Sequence, residues 1–140
     1  MRKRVVVTGL GVVSPNAIGL TDFEQAIREG RPGIRHISKL EELKFACQIG
    51  GVPQGFEEIC GDYFNASLQS YMSDLVRYAA VAAIDAWRDA GLAVPGDEDP
   101  PDWDSGTIFG SGISDLDIVG NEVVPKVNSG KVRRLGTRVV

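Results

Sequence analysis

Two closely spaced glycines near the start of the chain could form a turn that binds phosphate groups. Gly9 and Gly11 follow an apolar run, and such a pair opens the turn that binds the pyrophosphate of a dinucleotide. That turn needs a third glycine where Ser14 stands and an acid about 20 residues later, for which Glu29 is available. Pro15 disfavours a helix at this point. Dinucleotide binding is therefore a minor alternative to a tight turn after a strand.

Side chains that could act as nucleophiles or metal ligands are few and poorly spaced. Cys47 and Cys60 are the two cysteines, without Cys-x-x-Cys spacing, and His36 is the single histidine. They cannot assemble the ligand set of a zinc site, so no metal site is predicted. We expect reduced structural thiols, with Cys47 in a strand and Cys60 in a loop, and a partly exposed His36 in a loop.

A run of acids forms the remaining charged cluster. Residues 95–104 hold five acidic side chains, but they lack the alternating ligands and the turn glycine of a calcium loop. A solvated loop, in which Trp103 alone is buried, is the simpler prediction.

Composition excludes several classes of function. The chain has 140 residues, 43% hydrophobic and 24% charged, with a formal net charge of −4, which disfavours broad nucleic-acid binding. No apolar stretch reaches the length of a membrane span. The basic residues 2–4 precede an apolar run that Thr8, Gly9 and Gly11 interrupt, so a secretion signal is rejected. We expect a cytoplasmic protein.

Apolar patterns along the chain predict the strands and the main helix that hold these side chains in place. Val5–Val7 is an unbroken apolar run, and Thr107–Phe109 consists of β-branched and aromatic residues; both segments are predicted to be central strands buried on both faces. Apolar residues from Met72 to Trp87 recur at helical spacing, and Gly91 caps the predicted helix. Close packing of this helix against another backbone is predicted from Ala79, Ala80, Ala82 and Ala83.

Weaker patterns precede the long helix. A first helix is predicted to begin with Thr21 or Asp22 as its N-cap and to end at Gly30. The segment 31–44 is predicted to be a surface loop, and Phe45–Gly51 a short strand.

Two further segments complete the prediction. Residues 52–67 are expected to be irregular, with aromatic side chains as anchors. A last helix is predicted to start at Ser114 or Asp115 and to run to about Val124, where Pro125 stops it.

Three motifs in the same order resemble one protein family. They are the opening run from Val5 to Pro15, the segment Gly30-Arg31-Pro32-Gly33-Ile34, and the turn Gly110-Ser111-Gly112-Ile113. Together they resemble the β-ketoacyl-acyl-carrier-protein synthases, the elongating condensing enzymes of fatty acid and polyketide synthesis. The resemblance implies an α/β, thiolase-like layered fold, of which residues 1–140 supply the first part of the N-terminal core half. It also implies a homodimeric acyltransferase that works with acyl carrier protein and uses no cofactor.

The resemblance places the catalytic groups beyond this chain. In the family an acyl group moves to a cysteine thiol, and two histidines assist the decarboxylation of malonyl carrier protein. In the family these groups come later in the chain than the segment to which residues 126–140 are similar. The residues around Cys47, Cys60 and His36 do not match those around the family's catalytic cysteine and histidines. No catalytic residue is therefore predicted. The chain ends on Thr137–Val140 without polar tapering, so we expect a truncated ketosynthase domain that is inactive alone.

The resemblance also implies a pocket wall. Ile113, with Ser111 and Gly112, matches the mouth of the acyl channel, where the volume of Ile113 could gate chain length. A core isoleucine after a glycine turn is the alternative. Ser114 and Asp115 stand where the family often has two glycines.

Carrier docking is assigned to the basic tail. Lys131, Arg133 and Arg134 would complement an acidic carrier protein, and a solvated basic surface is the alternative. Basic residues that the family often carries before the long helix are missing from Asn65–Tyr71, and Arg138 replaces a frequent aromatic residue that reaches the partner subunit's pocket.

A non-catalytic partner subunit of the chain-length-factor type is the other candidate function. The residue at the nucleophile position of the complete gene discriminates between the two, since cysteine indicates an enzyme. Dinucleotide binding would be indicated by a change in thermal stability with NAD or NADP.

Overall fold

Helices supply most of the regular structure in the computed structural model, which describes residues 3–96, 98–113 and 115–135. The α-helices are α1 (Leu20–Glu29), α2 (Ser38–Glu42), α3 (Phe56–Tyr63), α4 (Ala66–Tyr71), α5 (Asp74–Asp89), α6 (Leu116–Ile118) and α7 (Val124–Asn128). A π-helical turn, Val119–Val123, joins α6 to α7, and a 3₁₀ turn, Val132–Arg134, follows. Short strands pair antiparallel, β1 (Val13–Ser14) with β2 (Ala17–Ile18) and β3 (Ile34–His36) with β4 (Ile49–Gly51). This mixture of helices and strands is compatible with the expected α/β class.

The two segments predicted as buried central strands are not strands in the structure. Val5–Val7 and Thr107–Phe109 make no strand pairing among the described residues, and their side chains are exposed, Val5 to 94% and Ile108 to 100%. The prediction was wrong because a strand needs a neighbour to satisfy its backbone hydrogen bonds. The described part of the chain offers neither segment such a neighbour.

The predicted long helix is confirmed as α5, with shifted ends. It starts at Asp74 because Ser73 is its N-cap, and the Ser73 hydroxyl accepts a hydrogen bond from the Val76 amide at 3.4 Å. Ser73 is only 2% exposed, so this cap lies inside the fold. Ala90 closes the helix, and Gly91 follows with a φ of 75°, where glycine is unstrained.

Gly9 and Gly11 pack directly against the backbone of α5. A Cβ atom on Gly11 would lie 1.9 Å from the Ala82 carbonyl oxygen, and one on Gly9 would lie 2.1 Å from that of Ala86. No side chain fits such a gap, so packing requires both glycines. The predicted close approach at Ala82 is confirmed, and Ala86 extends it by one helical turn. This is the role that the structure gives to the two glycines.

The hydrophobic core lies between α3 and α5. Phe56, Cys60 and Phe64 are buried in one cluster with Val81. The prediction of an irregular segment over 52–67 was wrong, because the four-residue spacing of these three side chains puts them on one helical face. Cys60 therefore lies in a helix rather than in the predicted loop.

The first helix starts earlier than predicted. The Phe23 amide donates a hydrogen bond to the Gly19 carbonyl at 3.0 Å, and Gly19, with a φ of 84°, is the N-cap. Neither Thr21 nor Asp22 caps α1, because both already lie inside it. The predicted end is confirmed, since Gly30 closes the helix in the left-handed conformation.

The structure of residues 31–51 also differs from the prediction, because β3 and β4 pair with each other. The predicted loop 31–44 contains β3 and α2, and β4 covers only the last three residues of the predicted strand Phe45–Gly51. Cys47 precedes β4 and is exposed. The loop 95–104 is exposed at its described residues, as predicted, but Trp103 is 91% exposed rather than buried.

The last helix continues through Pro125 instead of stopping there. Pro125 lies in the first turn of α7, directly after the π-helical turn. In a regular α-helix proline lacks the amide hydrogen and clashes with the carbonyl four residues earlier. The wider π-helical turn changes that register and accommodates the ring.

Candidate functional site

The predicted pocket wall is an exposed turn. Ile113 is 72% exposed, and the Ser111 hydroxyl donates a hydrogen bond to the Ile113 carbonyl at 3.1 Å. No described atom outside the immediate chain neighbours lies within 4 Å of a Cβ placed on Gly110 or Gly112. The turn therefore has open space in front of both glycines.

An apolar groove lies beside this turn, along the first half of α5. We call it the α5 groove; its volume is about 240 Å³, and it is lined by Leu75, Val76, Ala79, Ala80, Phe109, Gly110 and Ser111. Of the three predicted pocket residues it includes only Ser111, because Gly112 and Ile113 lie outside its lining. Its aliphatic and aromatic walls suit an alkyl chain or an apolar polypeptide segment.

Asp117 fastens the residues after the turn to α5. Its carboxylate accepts a hydrogen bond from the Asp74 amide at 3.2 Å, at a helix N-terminus, where amides lack helical acceptors. Ile118, the next residue, is buried. Asp115 has a φ of 58°, which aspartate tolerates better than most residues. It thus takes a left-handed position that would suit the glycine expected there, whereas Ser114 lies outside the described residues.

Lys131, Arg133 and Arg134 lie together after α7, and we call them the basic turn. All three are exposed, and no carboxylate oxygen in the described part of the chain lies within 4.0 Å of their charged nitrogens. Lys126, by contrast, pairs with Glu122 at 3.0 Å. The basic turn therefore presents to solvent three positive charges that no acid of the described residues pairs with.

The turn Gly110–Ile113 and the basic turn lie towards opposite ends of one helical segment. Residues 116–128 are helical throughout, which gives a length of about 20 Å at ~1.5 Å per residue. The sequence did not predict this connection, because Pro125 was expected to end the helix.

Neither cysteine has the surroundings of an activated nucleophile. Cys60 is buried in α3, and burial, with the Glu57 carboxylate adding to it, raises the pKa of its thiol. Cys47 is exposed. His36 lies in β3, where its Nε2 is 3.4 Å from the Glu41 carboxylate. His36 is thus partly exposed as predicted, but in a strand rather than a loop.

The sequence analysis missed a polar cluster between α3 and α5, which we call the Tyr63 cluster. The Tyr63 hydroxyl donates a hydrogen bond to Asp85 Oδ1 at 2.8 Å, and the Arg88 guanidinium lies 5.2 Å from the Tyr63 ring centre. Burial, followed by the hydrogen bond to Asp85, raises the pKa of Tyr63 to about 12. Only a correct prediction of α3 would have brought these residues together from sequence.

Neither a metal-ligand cluster nor a membrane-spanning helix is found in residues 3–96, 98–113 and 115–135. In these ranges no group of three or more His, Cys, Asp or Glu side chains is placed to hold a metal ion. Within the same ranges no helix has both the length and the apolar character needed to cross a membrane.

Comparison with known proteins gives consistent similarities. The chain is 30% identical over 132 residues to 3-oxoacyl-[acyl-carrier-protein] synthase 2 of Synechocystis, covering 94% of this chain and 30% of the relative. It is 30% identical over 118 residues to the protein of the same name from Vibrio harveyi, covering 84% and 27%. It is 34% identical over 120 residues to a protein named as a putative polyketide β-ketoacyl synthase from Streptomyces halstedii, covering 81% and 26%.

These relatives are much longer than the matched region. The chain spans less than a third of the length of each of them. The family profile described as "Beta-ketoacyl synthase, N-terminal domain" matches residues 2–136, which is nearly the whole chain. The chain therefore belongs to the β-ketoacyl synthase family, and the match is to the profile of that family's N-terminal domain.

Proposed function

We propose that this chain is the N-terminal part of a 3-oxoacyl-acyl-carrier-protein synthase, an acyltransferase that condenses an acyl thioester with malonyl carrier protein. The observation that carries the proposal is the family match over residues 2–136, joined to relatives named for this activity. The relatives include the protein named as a putative polyketide β-ketoacyl synthase, so both fatty acid and polyketide synthesis fit. The corresponding fold is thiolase-like, and residues 1–140 form part of its N-terminal core half, before the catalytic cysteine.

Within that enzyme the chain supplies wall and scaffold. Ser111, Gly112 and Ile113 form one side of the acyl pocket, and the exposure of Ile113 supports this role because its side chain is free to meet a ligand. The open space before Gly110 and Gly112 leaves room for an acyl chain to pass close to the backbone.

Carrier docking belongs to the basic turn. Its cations lack a carboxylate partner in the described part of the chain, so their charge is available to the acidic surface of an acyl carrier protein. The complete enzyme would act as a homodimer, as the family resemblance implies. Arg138, at the position implied to face the partner subunit, lies outside the described residues.

The isolated chain is proposed to lack condensing activity. Burial disfavours the thiolate of Cys60 by raising its pKa, and a thiol is a poor nucleophile. Cys47 lies between α2 and β4 in the chain, outside the first turn of every described helix, where a helix N-terminus could activate a thiol.

An assay of the isolated chain tests this point. Acyl-carrier and malonyl-carrier substrates are supplied to the parent chain, Cys47→Ala and Cys60→Ala, and the 3-oxoacyl product is measured. No product is expected from any of them. Turnover by the parent chain that either alanine variant abolishes would show that a catalytic cysteine is present here.

Carrier binding tests the proposed role directly. Acyl carrier protein is titrated against the chain, and the double variant Arg133→Glu/Arg134→Glu is expected to bind about 10-fold or more weakly, because two attractions become repulsions. Lys44→Glu is the control and is compared with the single variant Arg133→Glu, so that each reverses one charge; Lys44 is exposed and has no ion pair with a described residue. Equal weakening in both variants would indicate a general charge effect and contradict docking at the basic turn.

A further inference from the structure

A polar cavity lies away from the α5 groove, between the β1–β2 turn, β3 and the residues before α3. Its volume is about 530 Å³, and its polar lining consists of Asn16, Asp22, Arg31, Arg35 and Gln54. We propose that this cavity, the Arg31–Arg35 cavity, binds a small molecule through its phosphate group. The inference does not depend on the condensing activity proposed above.

Arg35 supplies the main argument for an anionic ligand, because its charge has no carboxylate partner among the described residues. One of its terminal nitrogens, Nη2, donates a hydrogen bond to the Pro15 carbonyl, whereas Nε is buried and has no hydrogen-bond partner among the described residues. No carboxylate oxygen of a described residue lies within 4.0 Å of its guanidinium. A partly buried cation without a counter-charge costs free energy. An anion in the cavity would offset that cost.

Arg31 is already oriented by its neighbours. Its guanidinium pairs with Asp22 Oδ1 at 3.1 Å and with Glu29 Oε2 at 3.0 Å. The hydrogen bonds to Glu29 and then to Asp22 raise the pKa of Arg31. Both of the terminal nitrogens used in these pairs carry a second hydrogen, which can point to a ligand. Asp22 and Glu29 together balance the charge of Arg31, so Arg35 is the arginine of the cavity lining without a carboxylate partner among the described residues.

Neutral donors complete the lining. Asn16 Nδ2 donates to the Arg31 carbonyl at 3.4 Å, and Gln54 Nε2 donates to the Val52 carbonyl at 3.1 Å. Each amide nitrogen has a second hydrogen for an acceptor in the cavity.

Two properties of the cavity select a phosphate-bearing small molecule. The planar guanidinium fork matches phosphate oxygens in pairs, which favours phosphate over a spherical anion such as chloride. The volume falls within the range of small-molecule pockets, so there is room for more than a bare ion. The cavity is also separate from the Gly9–Gly11 turn. The backbone of α5 packs directly against both of these glycines and leaves no space for a ligand there.

Equilibrium dialysis with radiolabelled pyrophosphate tests the proposal on the 140-residue chain. Ionic strength is fixed with sodium chloride, so that general charge attraction is screened. Saturable binding is expected for the parent chain, and about 10-fold or greater weakening for Arg35→Gln and for Arg31→Gln. The control is Arg28→Gln, because Arg28 is an exposed α1 arginine that pairs with Glu24 outside the cavity. Its affinity is expected to be unchanged.

A second variant guards against loss of folding. Arg35→Lys keeps the charge but not the fork, so it is expected to bind with an affinity between those of the parent and Arg35→Gln. If circular dichroism shows that Arg35→Gln is unfolded, Arg35→Lys and Arg31→Gln decide the result. The proposal is overturned by non-saturable binding, by equal affinity in the parent and the cavity variants, or by equal weakening in Arg28→Gln.

Discussion

Tyr63 shows how one side chain can couple the fold to pH. Its hydroxyl donates to Asp85, and its ring lies under Arg88, so the neutral phenol holds α3 against α5. Burial disfavours the phenolate, and ionisation would place it beside the Asp85 carboxylate, which together explain why the pKa rises from 10.0 to about 12. The folded state therefore binds the proton more tightly than the unfolded state.

The stability that Tyr63 contributes is expected to be present below pH 10 and to be lost as the pH rises towards 12, because its pKa is raised in the folded state. Tyr63→Phe removes the hydrogen bond and should lower stability at pH 8 by about 1 kcal/mol. It should also flatten the fall in melting temperature between pH 10 and 12. Tyr71→Phe, at an exposed tyrosine, is the control. An equally steep fall in the parent and Tyr63→Phe would contradict the coupling.

Ile113 carries the prediction for substrate length. In the complete enzyme, Ile113→Phe is expected to shorten the range of accepted acyl chains, because added volume in a pocket wall displaces the distal carbons. Short acyl primers should still be accepted. The measurement is the acylation rate across a series of chain lengths, with Ile113→Val as a smaller-volume control. An unchanged profile in a folded Ile113→Phe variant would remove Ile113 from the pocket.

At the level of secondary-structure elements, the first residues of the chain contact α5 closely because Gly9 and Gly11 have no side chains. Gly11→Ala is expected to destabilise the fold by about 1–3 kcal/mol, because its Cβ would lie 1.9 Å from the Ala82 carbonyl oxygen. Gly61→Ala is the matched control: Gly61 lies within α3, and outside the backbone of that helix no described atom lies within 4 Å of a Cβ placed on it. It should stabilise the chain by up to about 1 kcal/mol.

Thermal melts of the parent and both alanine variants measure this difference. The expected order of melting temperature, from highest to lowest, is Gly61→Ala, parent, Gly11→Ala. A Gly11→Ala variant as stable as the parent would show that the chain start does not pack on α5 in solution.

At the scale of the whole molecule, the isolated chain exposes much apolar surface. Val5, Ile108, Phe109 and Ile113 are all more than half exposed, and the α5 groove is open beside them. Such surfaces promote association, especially where backbone groups also lack a strand partner.

The isolated chain is therefore expected to be marginally stable or to associate. Static light scattering over a concentration series should give a mass that rises above 15.0 kDa, and thermal melts should be broad or irreversible. A sharp, reversible melt of a monomer at every concentration would show that these residues form a self-sufficient domain.

Patterns in the sequence were sufficient to predict the features that depend on local interactions. The spacing of apolar residues predicted α5, and Gly30 marked the end of α1, because helix hydrogen bonds and caps join residues close in the chain. The small residues of α5 also predicted a close backbone approach, and the glycine motifs identified the family. None of these required a distant partner to be known.

Pairing between segments that are distant in the chain could be established only from the folded structure. Val5–Val7 has the composition of a strand but no strand beside it in the described part of the chain, whereas Ile34–His36 pairs with Ile49–Gly51 across a connection that the sequence did not predict. The helix likewise continues through Pro125 only because a π-helical turn precedes the proline. The physical reason is that strand hydrogen bonds and buried polar contacts, such as Tyr63 to Asp85, join residues that sequence spacing does not relate.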